Sequence, residues 1–289
     1  MKFWQAVAWM EPEQLVPVAQ FAEELGFEGV LNADHGVFPQ DVQSVYPYSE
    51  DGKPPMSPDS PYPDCWVSIA FMAAATRRLR FSTSIYVLPL RNPFEVARAT
   101  GTLAILSKNR FALGIGAGWM KDEFDIYGVE FAGRGKRMDE MMEVLKKLWG
   151  GGMVEHHGPH FDFPPLQISP APERPVPIIV GGANPAALRR AAQRGDGWIG
   201  AGNTAEEVPA ILTELKRLRR EAGREQEPFE TIVGLSSGME IDTLKRLRDQ
   251  GMTSAVSYPF HYSLGVRSSL DDKKRVMEQF ANTFIRAFS

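Results

Sequence analysis

Leu79-Arg80-Phe81-Ser82-Thr83-Ser84-Ile85-Tyr86-Val87, then Phe94 to Leu106, then Arg110-Phe111-Ala112-Leu113-Gly114-Ile115: this stretch decides the fold. It is an apolar run of strand length, a helical segment, and a second apolar run. Strand, helix and strand at this spacing imply parallel strands joined by a right-handed crossover. The same unit recurs outward in both directions. Phe3 to Trp9 and Glu28 to Asn32 read as strands before it, separated by a helix from Pro12 to Leu25. That helix keeps Leu15, Val18, Ala19, Ala22 and Leu25 on one face and stops at Gly26. Asp64 to Ala75 is the second helix.

Beyond it, Lys136 to Trp149 is a helix with Met138, Met141, Met142, Leu145 and Trp149 on one face. Strands then read at Pro177 to Val180, Gly197 to Gly200, Thr231 to Leu235 and Ser254 to Tyr258. Helices read at Pro185 to Gln193, Glu206 to Glu221, Ile241 to Gln250 and Asp271 to Phe288. Eight strands alternate with eight helices, which fits an α/β chain folded as one (β/α)8 TIM barrel over residues 1–289. A doubly wound sheet, with about five to seven strands, fits less well.

Composition narrows the class. With 43% hydrophobic and 24% charged residues, the chain is an ordinary globular protein. A net charge of −4 argues against a general nucleic-acid binder. The single cysteine, Cys65, excludes an intrachain disulfide framework and any multi-cysteine metal site. No apolar run approaches the roughly 18 residues of a membrane span. The start, Met1-Lys2-Phe3-Trp4-Gln5, lacks a secretory pattern. The expectation is a cytoplasmic enzyme acting on a small molecule, with neither membrane nor nucleic acid as partner.

Three connections are long. Residues 36–63 carry Pro39, Pro47, Pro54, Pro55, Pro58, Pro61 and Pro63, a density that forbids regular structure. The segment follows a strand, so it lies at the C-terminal face, where barrels build active sites. It reads as a lid or as a solvated loop. Trp119 to Gly135 follows strand four and shares that face. Residues 150–176 follow a helix, which puts them at the opposite face as a structural insertion with a small hairpin around Val154 and Phe161.

Chemistry-bearing residues concentrate at strand ends. Leu113-Gly114-Ile115-Gly116-Ala117-Gly118 ends strand four. A dinucleotide fingerprint would need the first strand and an immediate helix, so close backbone approach to a ligand is the better reading. Val180-Gly181-Gly182-Ala183-Asn184-Pro185 leads straight into a helix, as an anion site or as a tight turn. Asp34 and His35 end strand two, and histidine exchanges protons near neutral pH. Neighbouring strand residues face opposite ways, so Asp34 pairs with the imidazole only if the strand has ended. His156, His157 and His160 have metal-like spacing, but Gly158 and Pro159 break the helix that would align them. His261, near Tyr258 and Tyr262, could line a substrate pocket. With no P-loop, nucleophile elbow or metal set, the chemistry falls to an organic cofactor.

Several of these stretches together resemble the luciferase-like monooxygenase superfamily. They are Ser82 through Arg98, Leu113 through Trp119, then Phe131, Arg134, Gly135, Arg137 and Glu140, Pro175 through Gly182, and Gly195-Asp196-Gly197-Trp198. The resemblance spans residues 3 to 250 and is nearest to the members that use the deazaflavin coenzyme F420. It implies a barrel that binds F420 or FMN at its C-terminal end. It also implies a non-prolyl cis peptide at Ser84-Ile85 behind the ring. Gly116, Ala117, Gly118 and Asp122 match the strand-four cofactor loop; Gly181, Gly182 and Ala183 match the contacts to the cofactor tail and phosphate, with Val180 before them also taken as cofactor-binding; Asp34 and His35 match the acid–histidine end of strand two. The proline-rich segment departs from the pattern and leaves the substrate pocket unread. Homodimers are common in the family, and this sequence neither supports nor opposes one.

The reading is an F420-dependent oxidoreductase in which His35 handles the proton that accompanies a hydride and Asp34 supports it. The rivals are an FMN-dependent monooxygenase fed by a separate reductase, and a binding protein without turnover.

Overall fold

Along strand β1 (Lys2–Ala6), Phe3 packs outward and Trp4 inward, and both are buried. That alternation divides the molecule into two apolar layers. The inner layer fills the barrel with Trp4, Leu31, Ala112, Ile179, Ile199, Ile232 and Val256. The outer layer lies between strands and helices and draws in residues such as Val18, Ile69, Val96, Leu145, Leu212 and Leu244. The computed structural model describes residues 1–49 and 51–288, the side chain of Ala201 excepted. Glu50, within the 36–63 segment, and Ser289, the last residue of the expected domain, lie outside the described residues.

The remaining barrel strands are β2 (Gly29–Asn32), β3 (Arg80–Thr83), β4 (Phe111–Gly116), β5 (Ile178–Gly181), β6 (Gly197–Asn203), β7 (Glu230–Leu235) and β8 (Ser254–Ser257). Each pairs in parallel with the next, and β8 pairs with β1 to close the ring. The expected (β/α)8 barrel is the observed one. Its lower opening is plugged by Arg80, which reaches Glu28 and Glu230 and lies over the Trp4 ring. Among the described residues no helix is long and apolar enough to cross a membrane.

Boundaries shift where backbone geometry intervenes. β1 ends at Ala6, and Trp9 already has φ of 58° in the turn that follows. The third strand, expected to run to Val87, is interrupted at Ser84-Ile85, where the peptide is cis, and resumes as Tyr86–Val87 against the end of β4. The last helix stops at Phe280 and continues as a wide turn, Ala281–Ile285, then a tight one, Arg286–Phe288. This change of pitch sets both Phe280 and Phe288 against Phe3.

The hairpin of 150–176 is present, pairing Val154–His157 with Asp162–Leu166. Its expected confinement to the opposite face is corrected. Glu140, in the helix Arg134–Trp149, accepts from the His160 and Phe161 amides, and Arg137, one turn earlier, lies over the Phe161 ring. The hairpin tip therefore runs back along that helix toward its start, because Glu140 satisfies amides the turn would leave bare. His156 is buried between Glu140 and Lys147, and His157 meets Asp162.

At Gly114 an added Cβ would stand 1.7 Å from the Thr83 carbonyl oxygen. Gly114→Ala is expected to cost about 3 kcal/mol or more of stability, at the upper end for overpacking. Gly128, with φ of 66° and open space around it, should lose only about 1–2 kcal/mol on the same change. Urea unfolding of both variants checks the contrast.

Candidate active site

β2 ends at Asn32, so Asp34 and His35 stand beyond the strand and leave in different directions. Asp34 accepts two bonds from Arg91 Nη2, at 2.8 and 2.9 Å, and one from the Val87 amide at 3.1 Å. Arg91 also lies over the Tyr86 and Tyr127 rings. His35 Nδ1 lies 2.9 Å from Glu123 Oε2, and the Gly36 amide donates to Glu123 Oε1 at 2.7 Å. Glu123 is buried, on the short helix Lys121–Ile126 after β4. Burial pushes the Asp34 carboxyl up against the pull of Arg91 and the Val87 amide. For Arg91, burial lowers and the Asp34 charge raises, and the guanidinium ends above its ordinary value.

Arg91 and Glu123 were not singled out by sequence reasoning. Arg91 lay inside the resemblance without a role. Glu123 adjoins Asp122, which was chosen instead. The Asp122 carboxylate accepts from the Gln43 and Ser44 amides and from Ser44 Oγ at 2.6 Å. Here it fastens the 36–63 segment, and the Ser44 hydrogen bond foremost holds its carboxyl below the usual range.

The segment crosses the mouth of the barrel. A Cβ at Gly202, in β6, would touch Tyr48, and Tyr62 packs edge-on to His35 at 5.3 Å and accepts a hydrogen bond from Trp9 Nε1. Tyr46 meets Trp119, past β4, at 5.0 Å between centroids. Trp9 in turn meets His261 and Tyr262, and Tyr262 meets Tyr258. Burial raises the phenols of Tyr46 and Tyr62, and that of Tyr258 is pushed up to about 12, so all stay neutral.

Beneath the rings, the side chain of Ile85 rests on the inner core. It occupies the space a Cβ would need at Gly116, 2.1 Å from its Cδ1, and at Gly181, 2.7 Å from its Cγ2. Ser84, Ile85, Gly116 and Gly181 are thus brought together. Gly118 is left-handed and packs under Val87 and Phe124, while Ala117 leans on the outer core. Gly182, with φ of 105°, and exposed Ala183 precede the helix Pro185–Arg194, whose first turn Asn184 caps by accepting from the Ala187 amide. Val180 is corrected: it is buried in the outer layer, because alternation along β5 turns its neighbour Ile179 inward instead. Its side chain does not face the mouth. At the same end, Asn32 Nδ2 and Asn203 Oδ1 are buried without a protein hydrogen-bond partner.

Arg91→Met would strip buried Asp34 of its counter-charge, at a cost of about 3–5 kcal/mol. Without Arg91 the folded-state carboxyl titrates higher still. The deficit is therefore smallest below the unfolded-state carboxylate pKa and grows as pH rises through the folded one. Urea unfolding at pH 5 and pH 8 should show the larger loss at pH 8.

The chain is similar to several known proteins. A protein of Mycobacterium tuberculosis without an assigned activity is 38% identical over 287 residues, covering 99% of each chain. An F420-dependent glucose-6-phosphate dehydrogenase of Nakamurella multipartita is 27% identical over 286 residues, covering 95% of this chain and 79% of the relative. The crystal structure of a monooxygenase from Streptomyces bottropensis superposes with a TM-score of 0.78 at 20% identity, each chain fully covered, and so shares the fold. Residues 4–239 match the luciferase-like monooxygenase family throughout. The chain belongs to that family.

Proposed function

We propose that this protein is an oxidoreductase that uses the deazaflavin F420 to move a hydride to or from a small organic substrate. The observation that carries the reading is Ile85, set between Gly116 and Gly181 as an apolar floor for the mouth. F420, when bound, supplies the two-electron hydride chemistry. The residues present fit it. The floor suits one face of a ring system, and Asn32 Nδ2 and Asn203 Oδ1 offer a buried donor and acceptor for polar ring edges. The turn Gly181 to Ala183, ahead of the helix Pro185–Arg194, suits an acidic tail, with the Gly182 amide itself donating to the Ile199 carbonyl at 3.4 Å. The relative named for F420 supports this choice over FMN.

His35 takes or returns the proton at Nε2, because Glu123 engages Nδ1 and fixes the ring. In the oxidising direction His35 would hold the proton released by a substrate hydroxyl, and F420, when bound, would supply the hydride acceptor. Asp34, held by Arg91, keeps the strand end in shape and exchanges no proton.

His35→Ala should keep F420 binding within a few-fold and lose about two orders of magnitude in turnover. If the ring merely packed there, cofactor affinity would fall and turnover at saturation would stay near wild type. Gly182→Val should weaken F420 binding markedly, because β-branched residues avoid φ of 105° and the side chain would crowd Ala187. Direct fluorescence titration with F420 and with FMN measures both affinities. Tighter binding of FMN would overturn the cofactor assignment.

A further inference from the structure

The mouth is walled by aromatic rings from four separate parts of the chain. The barrel contributes Trp9, Trp119, Tyr258 and Tyr262, and the 36–63 segment contributes Tyr46 and Tyr62. These rings meet edge to face, the packing that aromatic quadrupoles favour. The series is continuous from the loop after β8, through Trp9, Tyr62, His35 and Trp119, to Tyr46.

Among the described residues, the half-buried cations at this end are already engaged. Arg91 is engaged by Asp34, Lys121 by Asp125, and Arg134 by the carbonyls of Gly118 and Phe131. Lys53 and Arg267 are solvent-exposed. Glu123 and Asp34 are both buried carboxylates beside the wall. A phosphate dianion binds through free guanidinium, ammonium or a dense set of amides. This wall supplies phenols that stay neutral, the indoles of Trp9 and Trp119, and the imidazole edges of His35 and His261.

We infer that the substrate is uncharged and carries a flat ring, which lies between the barrel rings and the 36–63 segment with its polar atom at His35 Nε2. The inference rests on the mouth being the substrate site of the proposed oxidoreductase. It departs from the sugar phosphate in the name of the Nakamurella relative.

Calorimetric titration of the F420-loaded protein with 1-phenylethanol, 1-cyclohexylethanol and glucose 6-phosphate tests it. The two alcohols match in size and differ in ring flatness. The expected order is 1-phenylethanol tighter than 1-cyclohexylethanol by about fivefold, as one or two aromatic contacts give. Glucose 6-phosphate should bind at least about 100-fold more weakly than 1-phenylethanol, for want of a charged partner. Tyr46→Leu should erase the preference between the alcohols and Tyr46→Phe should keep it. The wild-type order stands as a test even if the leucine variant does not fold. Equal affinity for the two alcohols, or glucose 6-phosphate as the tightest probe, overturns the inference. Repeating the titration without F420 separates the two readings. Failure of F420 to bind, with the ring preference intact, overturns the cofactor assignment and upholds the wall. F420 binding with the phosphate preferred overturns the wall and upholds the cofactor.

Discussion

One side chain sets the spacing of the whole mouth. Ile85 stands where a Cβ at residue 116 or 181 would have to be, so β4 and β5 can flank it only by ending in glycine. Gly114 obeys the same constraint one step deeper, against the Thr83 carbonyl, and Thr83 Oγ1 donates to the Gly114 carbonyl at 2.6 Å. Close approach of these backbones holds β3 and β4 in register. It also lets the third strand resume at Tyr86–Val87, which carries the Val87 amide to Asp34. The glycines serve the packing of Ile85 first. Any ligand contact on this floor is made to Ile85 and to the backbone around it.

From that floor the electrostatics follow. Two buried carboxylates, Asp34 and Glu123, sit close enough to influence one another, and each is matched by a different kind of partner. Arg91 is always charged, so its bond to Asp34 is a fixed strut. The bond between His35 Nδ1 and Glu123 fixes a ring and leaves Nε2 as its outward edge. The ends of β2 and β4 are thereby tied together through Glu123, which binds both the His35 ring and the Gly36 amide.

The barrel was legible in the sequence because period-two and period-3.6 patterns alternate cleanly, and the glycine clusters marked which strand ends crowd together. His35 was legible because histidine at a strand end is rare and chemically marked. Its partner was not. Asp122 and Glu123 are adjacent acids, and only the turn of the helix Lys121–Ile126 decides that Glu123 points inward while Asp122 meets Ser44. Val180 was misread for a related reason: a motif names consecutive residues, but a strand sends them to opposite faces. Arg91 carries no local signal at all. Its role exists only once β2 and the turn after β3 lie side by side.

The 36–63 segment shows how an irregular chain can hold a fixed course. Its prolines fix φ and remove conformations from the unfolded ensemble, which lowers the entropy lost on ordering. Few internal backbone bonds are then needed, and those present are local, such as Tyr46 to Gly52 and Ser60 to Ser57. Attachment comes instead from a few strong points: the Asp122 carboxylate at one side, and Tyr46, Tyr48 and Tyr62 against rings or backbone of the loops after β1, β4 and β6. A segment held at Gln43 and Ser44 by a carboxylate, and at Tyr46, Tyr48 and Tyr62 by packing, can change sequence between those points without altering the barrel. A change there would alter the rings over the mouth and leave His35, Glu123 and Ile85, just beyond the strand ends beneath, in place.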